Sequence, residues 1–87
     1  MSDIKKSDSN KNHIDQILDT KGLYCPEPVM MMHNLVRDVD NKAIIKVIAT
    51  DPSTQRDIPK FCQFLGHDLI LQSSENDEFV YLIQINK

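Results

Sequence analysis

The segment Ala43–Thr50 constrains the fold of this chain more than any other. Its sequence, Ala-Ile-Ile-Lys-Val-Ile-Ala-Thr, is apolar and rich in β-branched residues on both faces, and only Lys46 interrupts it. A short run of this kind is typical of a strand in the interior of a sheet. The rest of the chain must therefore provide strands on either side of this one.

Two segments with helical periodicity flank the predicted central strand. Glu27–Val39 is the first, and its stripe has the spacing of a helix that packs on a sheet. The apolar members of that stripe are Val29, Met32, Leu35, Val36 and Val39. The second begins at Asp51-Pro52, where an N-cap acceptor precedes a proline at the first helical position.

The second helix has a predicted stripe, a predicted end and a predicted irregularity. The stripe consists of Ile58, Phe61, Cys62 and Leu65. Gly66 is a typical C-terminal stop. Pro59 falls inside the helix and is expected to kink or break it, because proline has no N–H to donate.

Three further strand patterns complete the fold. They are Ile14–Thr20, Asp68–Gln72 and Phe79–Ile85, and a hairpin loop at Ser74–Glu78 joins the last two. The order is therefore βαβαββ, in which right-handed crossovers place both helices on the same side. We predict an α/β (α+β) fold, a two-layer α/β sandwich with a mixed four-stranded sheet and two helices on one face.

Length and composition allow one domain. The chain has 87 residues, and residues 1–12 are predicted to be a disordered tail because they are polar and nearly free of large apolar side chains. Residues 13–87 form the single predicted domain. No apolar leader follows the first basic residues, and no run is long enough to span a membrane. We therefore expect a cytoplasmic protein with reduced thiols.

The charge distribution argues against nucleic acid as a direct ligand. Ten Lys and Arg residues and 13 Asp and Glu residues give a net charge of −3, and the basic residues are scattered. Proteins that bind nucleic acid generally show a basic patch or stripe. Direct, tight binding to nucleic acid is therefore disfavoured.

Cys25 is the strongest candidate for a reactive group. It precedes Pro26-Glu27-Pro28 at the start of the first predicted helix. We expect Cys25 to be the N-cap and Pro26 the first helical residue, which leaves the N–H of Glu27 to meet the sulfur. The positive end of the helix dipole would then favour the thiolate and depress the pKa of Cys25.

Several neighbours are candidates for lesser roles. Glu27 is expected to point to solvent. Successive helical residues diverge by about 100°, so only one of three consecutive methionines faces the sheet. Met32 fits the stripe, and Met30 or Met31 is expected to be partly exposed near Cys25. His33 lies off the stripe, where a surface position is favoured over a contact with Cys25.

The second cysteine and the histidines predict no further chemistry. Cys62 lies on the apolar stripe of the second helix, so a buried packing thiol is favoured over a reactive one. No histidine has recognisable metal-ligand spacing with Cys25. We therefore expect no metal site and no cofactor.

Two separated motifs resemble those of the TusA family of sulfur-carrier proteins. The first runs from Leu18-Asp19-Thr20 through Gly22-Leu23 to Cys25-Pro26-Glu27-Pro28-Val29-Met30-Met31. The second comprises Asp51-Pro52-Ser53-Thr54, Arg56-Asp57-Ile58-Pro59 and Phe61-Cys62. The resemblance extends from about Ile14 to the C-terminus and implies the βαβαββ fold.

The resemblance also implies a function. Cys25 would accept a sulfane sulfur from a cysteine desulfurase (IscS-like) and hold it as a persulfide. A TusBCD-like complex would receive the sulfur for 2-thiolation of the wobble uridine of certain tRNAs, and the tRNA need not touch this chain. Tyr24 departs from the family pattern, which often has a basic residue there, and so removes one charge that would favour the thiolate.

We assign expected roles to the residues around the reactive cysteine. Those expected to support the site are Pro26, Glu27 and Pro28. Those considered as possible partner contacts are Met30, Met31, His33 and Arg56.

Three other functions remain open from the sequence. A thiol-redox protein would need a resolving thiol near Cys25, and the chain has no Cys-x-x-Cys. A heme- or metal-binding regulator could use the Cys25-Pro26 pair but has no specific second ligand. An interaction domain would leave Cys25 without a chemical role.

Overall fold

The computed structural model describes residues 14–87, and the predicted order of strands and helices is confirmed within them. The elements are β1 (Gln16–Thr20), α1 (Glu27–Asp38), β2 (Ile44–Ala49), α2 (Thr54–Leu65), β3 (Asp68–Glu75) and β4 (Glu78–Gln84). The predicted tail at residues 1–12 and the histidine that follows it lie outside the described residues.

β2 occupies the interior of the sheet, as its composition predicts. The strand order is β1-β2-β4-β3. β1 pairs with β2 in parallel, whereas β4 is antiparallel to both of its neighbours. Alternate residues of β2 are buried, namely Ile45, Val47 and Ala49. The sheet is therefore mixed, and its buried face is the one that the two helices cover.

The core lies between that face and the helices. Met32 of α1 and Ile58 of α2 are fully buried, as are Tyr81 and Ile83 of β4. Among the three consecutive methionines only Met32 is buried, as helical geometry predicts. Burial of apolar area of this kind supplies most of the stability of a domain this small.

α2 differs from the prediction at its start and in its interior. The helix begins at Thr54, because residues 51–53 form a separate turn. Pro59 lies inside the helix without breaking it. It removes only the hydrogen bond to the carbonyl of Gln55, an exposed residue whose carbonyl water can satisfy.

The end of α2 is predicted correctly, but the last member of its stripe is not. Gly66 adopts a left-handed conformation (φ 81°), and its N–H is donated to the carbonyl of Cys62. Leu65 is 42% exposed, because it lies in the last turn, at the end of the stripe.

The hairpin between β3 and β4 is tighter than predicted. β3 continues to Glu75 and β4 starts at Glu78, so the turn consists of Asn76 and Asp77. Both have positive φ, 55° and 66°, as a two-residue type I′ turn requires. Asn and Asp adopt this conformation more readily than other non-glycine residues.

None of the helices within residues 14–87 is long and apolar enough to cross a bilayer.

Candidate functional site

Cys25 lies in the loop between β1 and α1, and its side chain is exposed. The loop is tied to the end of β2, the parallel neighbour of β1. The N–H of Gly22 is donated to Thr50 Oγ1 at 2.9 Å, and the N–H of Cys25 is donated to Asp51 Oδ2 at 2.6 Å. These bonds fix the backbone that presents the thiol.

The expected N-cap role of Cys25 is wrong. α1 starts at Glu27, and Pro26 occupies the N-cap position with no side-chain cap. The N–H of Glu27 is donated to the carbonyl of Tyr24 at 2.9 Å, so the donor expected to meet the sulfur is used within the loop. Cys25 therefore lies inside a turn at residues 24–27, one residue before the N-cap, and does not itself cap the helix.

The sulfur of Cys25 contacts a carboxylate from the other helix. Cys25 Sγ donates to Asp57 Oδ2 at 3.2 Å, and Asp57 lies in the first turn of α2. This hydrogen bond is the largest cause of a raised pKa of Cys25; desolvation and the negative charge of Asp57 also raise it. The expected depression of the pKa of Cys25 is therefore wrong in sign.

Asp51 connects the cysteine loop to the turn before α2. Its Oδ1 accepts the N–H of Ser53 at 3.0 Å, and its Oδ2 accepts the N–H of Cys25. Together with the Ser53 hydroxyl, these two donors lower the pKa of Asp51. The carboxylate is therefore ionised at neutral pH and holds both segments in place.

A groove of about 910 Å³ lies between α1 and α2 beside the thiol. Its walls include Cys25, Pro26, Val29, His33, Asp57, Lys60, Phe61, Gln63, Phe64 and Leu65. The ring of His33 packs edge-on against Phe61, with 4.7 Å between the ring centroids. Phe64 is 89% exposed, so the groove combines an apolar wall with an exposed thiol.

The residues predicted to surround Cys25 differ in exposure and in whether they line the groove. Pro28 is buried under the first turn of α1, whereas Glu27 is exposed as expected. Met30 is 57% exposed and Met31 is half-buried, but neither lines the groove. Arg56 is exposed, and its Nε lies 3.3 Å from Asp57 Oδ1.

Sequence reasoning missed Asp57 and Ser53 as neighbours of the thiol and assigned Asp51 only a capping role. The order of strands in the predicted fold could have identified these residues. β1 and β2 are parallel and adjacent, so the segments that follow their carboxyl ends meet at the same edge of the sheet. Polar residues after β2 were therefore candidates for contact with the cysteine loop.

Cys62 is a packing thiol, as predicted. It is 2% exposed on α2, and burial raises its pKa to about 11. A thiol with this pKa is protonated at neutral pH, and the thiolate is the reactive form. Among residues 14–87, no three His, Cys, Asp or Glu side chains converge to form a metal-binding group.

We expect Cys62→Ala to lower the free energy of unfolding by about 1 kcal/mol and to leave unchanged the sulfur loading that the resemblance to the TusA family implies for Cys25. The substitution deletes one buried sulfur atom and leaves a small cavity. Urea denaturation and intact mass after sulfur loading provide the two measurements. Loss of loading in a folded variant would identify Cys62 as a second sulfur site.

Comparison with known proteins gives a consistent result. The family model described as "Sulfurtransferase TusA" matches residues 16–85. The protein "Sulfur carrier protein TusA" of Pseudomonas aeruginosa is 61% identical over 71 residues, which is 82% of this chain and 90% of the relative. The protein of the same name from Pseudomonas syringae pv. tomato is 58% identical over 71 residues, 82% of this chain and 84% of the relative.

Proposed function

This chain belongs to the TusA family of sulfurtransferases, and from that premise we propose that it carries a sulfane sulfur as a persulfide on Cys25. The observation that carries the proposal is the contrast between its cysteines. Cys25 is exposed beside a groove, whereas Cys62 is buried. A carrier needs one accessible thiol and no second thiol nearby to release the sulfur by exchange.

The chemistry of such a transfer requires only the two thiols. The sulfur of Cys25 attacks the outer sulfur of a donor persulfide, and a new S–S bond forms as the old one breaks. The electron pair of the broken bond leaves on the donor cysteine, which gains the proton of the Cys25 thiol. The same exchange in the next step passes the sulfur to an acceptor thiol, so no external oxidant or reductant is consumed.

For the donor and the acceptor we propose the proteins that the family resemblance implies. A cysteine desulfurase supplies the sulfur, and a TusBCD-like complex accepts it for 2-thiolation of tRNA wobble uridine in the cytoplasm. The net charge of −3 supports a role without direct tRNA contact. The groove supports docking of a partner segment that brings its own cysteine to Cys25.

We propose five surface side chains of α1 and α2 as partner contacts, four of them exposed and one, Met31, half-buried. They are Glu27, Met30, Met31, His33 and Arg56. Exposed methionines adapt to different partner surfaces, which suits a protein that must bind a donor and an acceptor in turn.

Incubation with a cysteine desulfurase and cysteine, followed by intact-mass measurement, tests this function. We expect the chain to gain one sulfur atom, which a reductant removes. Internal loss of two hydrogens would instead indicate a redox protein. A visible absorption band on heme addition, with no gain of sulfur, would indicate a heme-binding regulator.

A further inference from the structure

Two polar side chains approach the Cys25 sulfur from α2 and the turn before it. Asp57 Oδ2 accepts a hydrogen bond from Sγ at 3.2 Å. Ser53 Oγ is buried and completes no hydrogen bond within the described structure. The backbone N–H groups of Ser53 and Cys25 are donated to the two oxygens of the same Asp51 carboxylate, which brings this hydroxyl to the side of the thiol, and the hydroxyl acts to lower the pKa of that thiol. A buried hydroxyl without a partner is uncommon in native proteins and calls for an explanation.

We propose that Asp57 and Ser53 are opposing positioning residues for the sulfur on Cys25. Asp57 accepts the S–H bond of the empty carrier, Ser53 donates to the anionic loaded form, and their balance sets how readily sulfur is taken up and given away. The proposal rests on the proposed function of Cys25 as a persulfide carrier.

The first half of the argument is electrostatic. An empty carrier has a protonated Sγ, which can donate to the Asp57 carboxylate. A loaded carrier has no proton on Sγ, and because a persulfide is a stronger acid than a thiol, its outer sulfur is anionic at neutral pH. The carboxylate of Asp57 then faces a like charge. Asp57 therefore favours the empty form and promotes release of the sulfur.

The second half concerns the unpaired hydroxyl. Ser53 precedes the first residue of α2, and its N–H is already donated to Asp51 Oδ1. Its hydroxyl lies near the Asp51 carboxylate, whose pKa it lowers, but completes no hydrogen bond with it. The hydroxyl can therefore turn to donate to a thiolate or a persulfide anion, and hydrogen bonds to charged acceptors are stronger than those to neutral ones. Ser53 therefore favours the loaded form and opposes Asp57.

Alkylation of the empty carrier by iodoacetamide as a function of pH is the first test. We expect the midpoint to fall in Asp57→Asn, because a charge and an acceptor are lost, and to rise in Ser53→Ala, because a donor is lost. Asp57→Glu keeps the charge and the acceptor, so its alkylation midpoint should stay closer to that of the wild type than the midpoint of Asp57→Asn does. The other titratable or charged groups around the thiol and Asp57 are unchanged in these variants; they are Glu27, His33, Asp51, Arg56 and Lys60.

The second test measures the partition of sulfur. The full chain is equilibrated with glutathione persulfide and glutathione at neutral pH, and the loaded fraction is read by intact mass. We expect the loaded-to-empty ratio to rise about fivefold in Asp57→Asn and to fall by about threefold in Ser53→Ala. Asp38→Asn, which removes a charge at the far end of α1, is the matched control.

Opposite shifts of the midpoint and of the ratio in Asp57→Asn and Ser53→Ala would support the opposing roles of the two residues. A merely structural role would not move these quantities in opposite directions. Unchanged midpoints and ratios, or shifts of the same sign, would overturn it. A shift of the midpoint with no change in the ratio would overturn the role in sulfur release. A wild-type chain that accepts no sulfur would refute the proposed function instead, and the alkylation test would still report on the contacts.

Discussion

Cys25→Ser is expected to abolish sulfur loading completely while leaving the melting temperature unchanged. An oxygen nucleophile cannot form the S–S bond that holds the transferred sulfur. The fold should survive because the side chain is exposed, and because a serine hydroxyl can still donate to Asp57 in place of the thiol. Intact mass after incubation with a desulfurase and cysteine measures the loading.

The matched control for this experiment is Cys62→Ala, which keeps the exposed thiol and removes the buried one. Loading in Cys62→Ala together with none in Cys25→Ser would assign the persulfide to a single residue. A sulfur atom gained by folded Cys25→Ser would contradict the central proposal, because Cys62 would be the only thiol left to hold it.

The fold was predictable because its elements differ in hydrophobic period. The continuous apolar run of β2 and the 3–4 spacing of the α1 stripe each fit one type of element, and both appear in the structure with bounds within one residue of those predicted. One prediction failed because a local sequence rule, that proline breaks a helix, ignores how the helix packs in the folded protein. Pro59 deprives α2 of one hydrogen bond, to the carbonyl of the exposed residue Gln55, yet the helix continues through it with Ile58 and Phe61 buried in the core.

The site was predictable only in part. The Cys-Pro-x-Pro pattern singled out a cysteine that the structure shows to be exposed, but the electrostatics inferred for it had the wrong sign. Helix-terminus reasoning considers only neighbours along the chain. The strongest influence on the pKa of the thiol is Asp57, 32 residues away in sequence, and the parallel pairing of β1 with β2 brings the two segments to the same edge of the sheet.

A raised thiol pKa is compatible with a carrier that acts only with partners. We expect the protonated Cys25 of the empty protein to react slowly with stray electrophiles, because the thiolate is the nucleophile. Under the proposed function, we expect loading to depend on a bound donor that brings its persulfide to the sulfur and accepts the proton. The acidic surroundings of Cys25 therefore suit selective sulfur transfer better than the thiolate expected from the sequence.

Thr54→Val is expected to lower the free energy of unfolding by about 2 kcal/mol, because it leaves a buried hydroxyl unpaired. Thr54 Oγ1 donates to the carbonyl of Asp51 at 2.7 Å and lies 2.9 Å from Tyr81 Oη. Both Thr54 and Tyr81 are almost completely buried. Valine keeps the shape of threonine, so the loss reflects the hydrogen bonds and not a cavity.

Tyr81→Phe provides the comparison that tests this account. It removes the other hydroxyl of the pair and leaves Thr54 bonded to the Asp51 carbonyl, so we expect a smaller loss, about 1 kcal/mol. In the double variant no buried hydroxyl remains unpaired, and its loss should be less than the sum of the two single losses. Urea denaturation measures all three. Strictly additive losses would show that the two hydroxyls do not stabilise each other, and that the turn at Asp51, which holds the backbone of Cys25, is not anchored to the core through Tyr81.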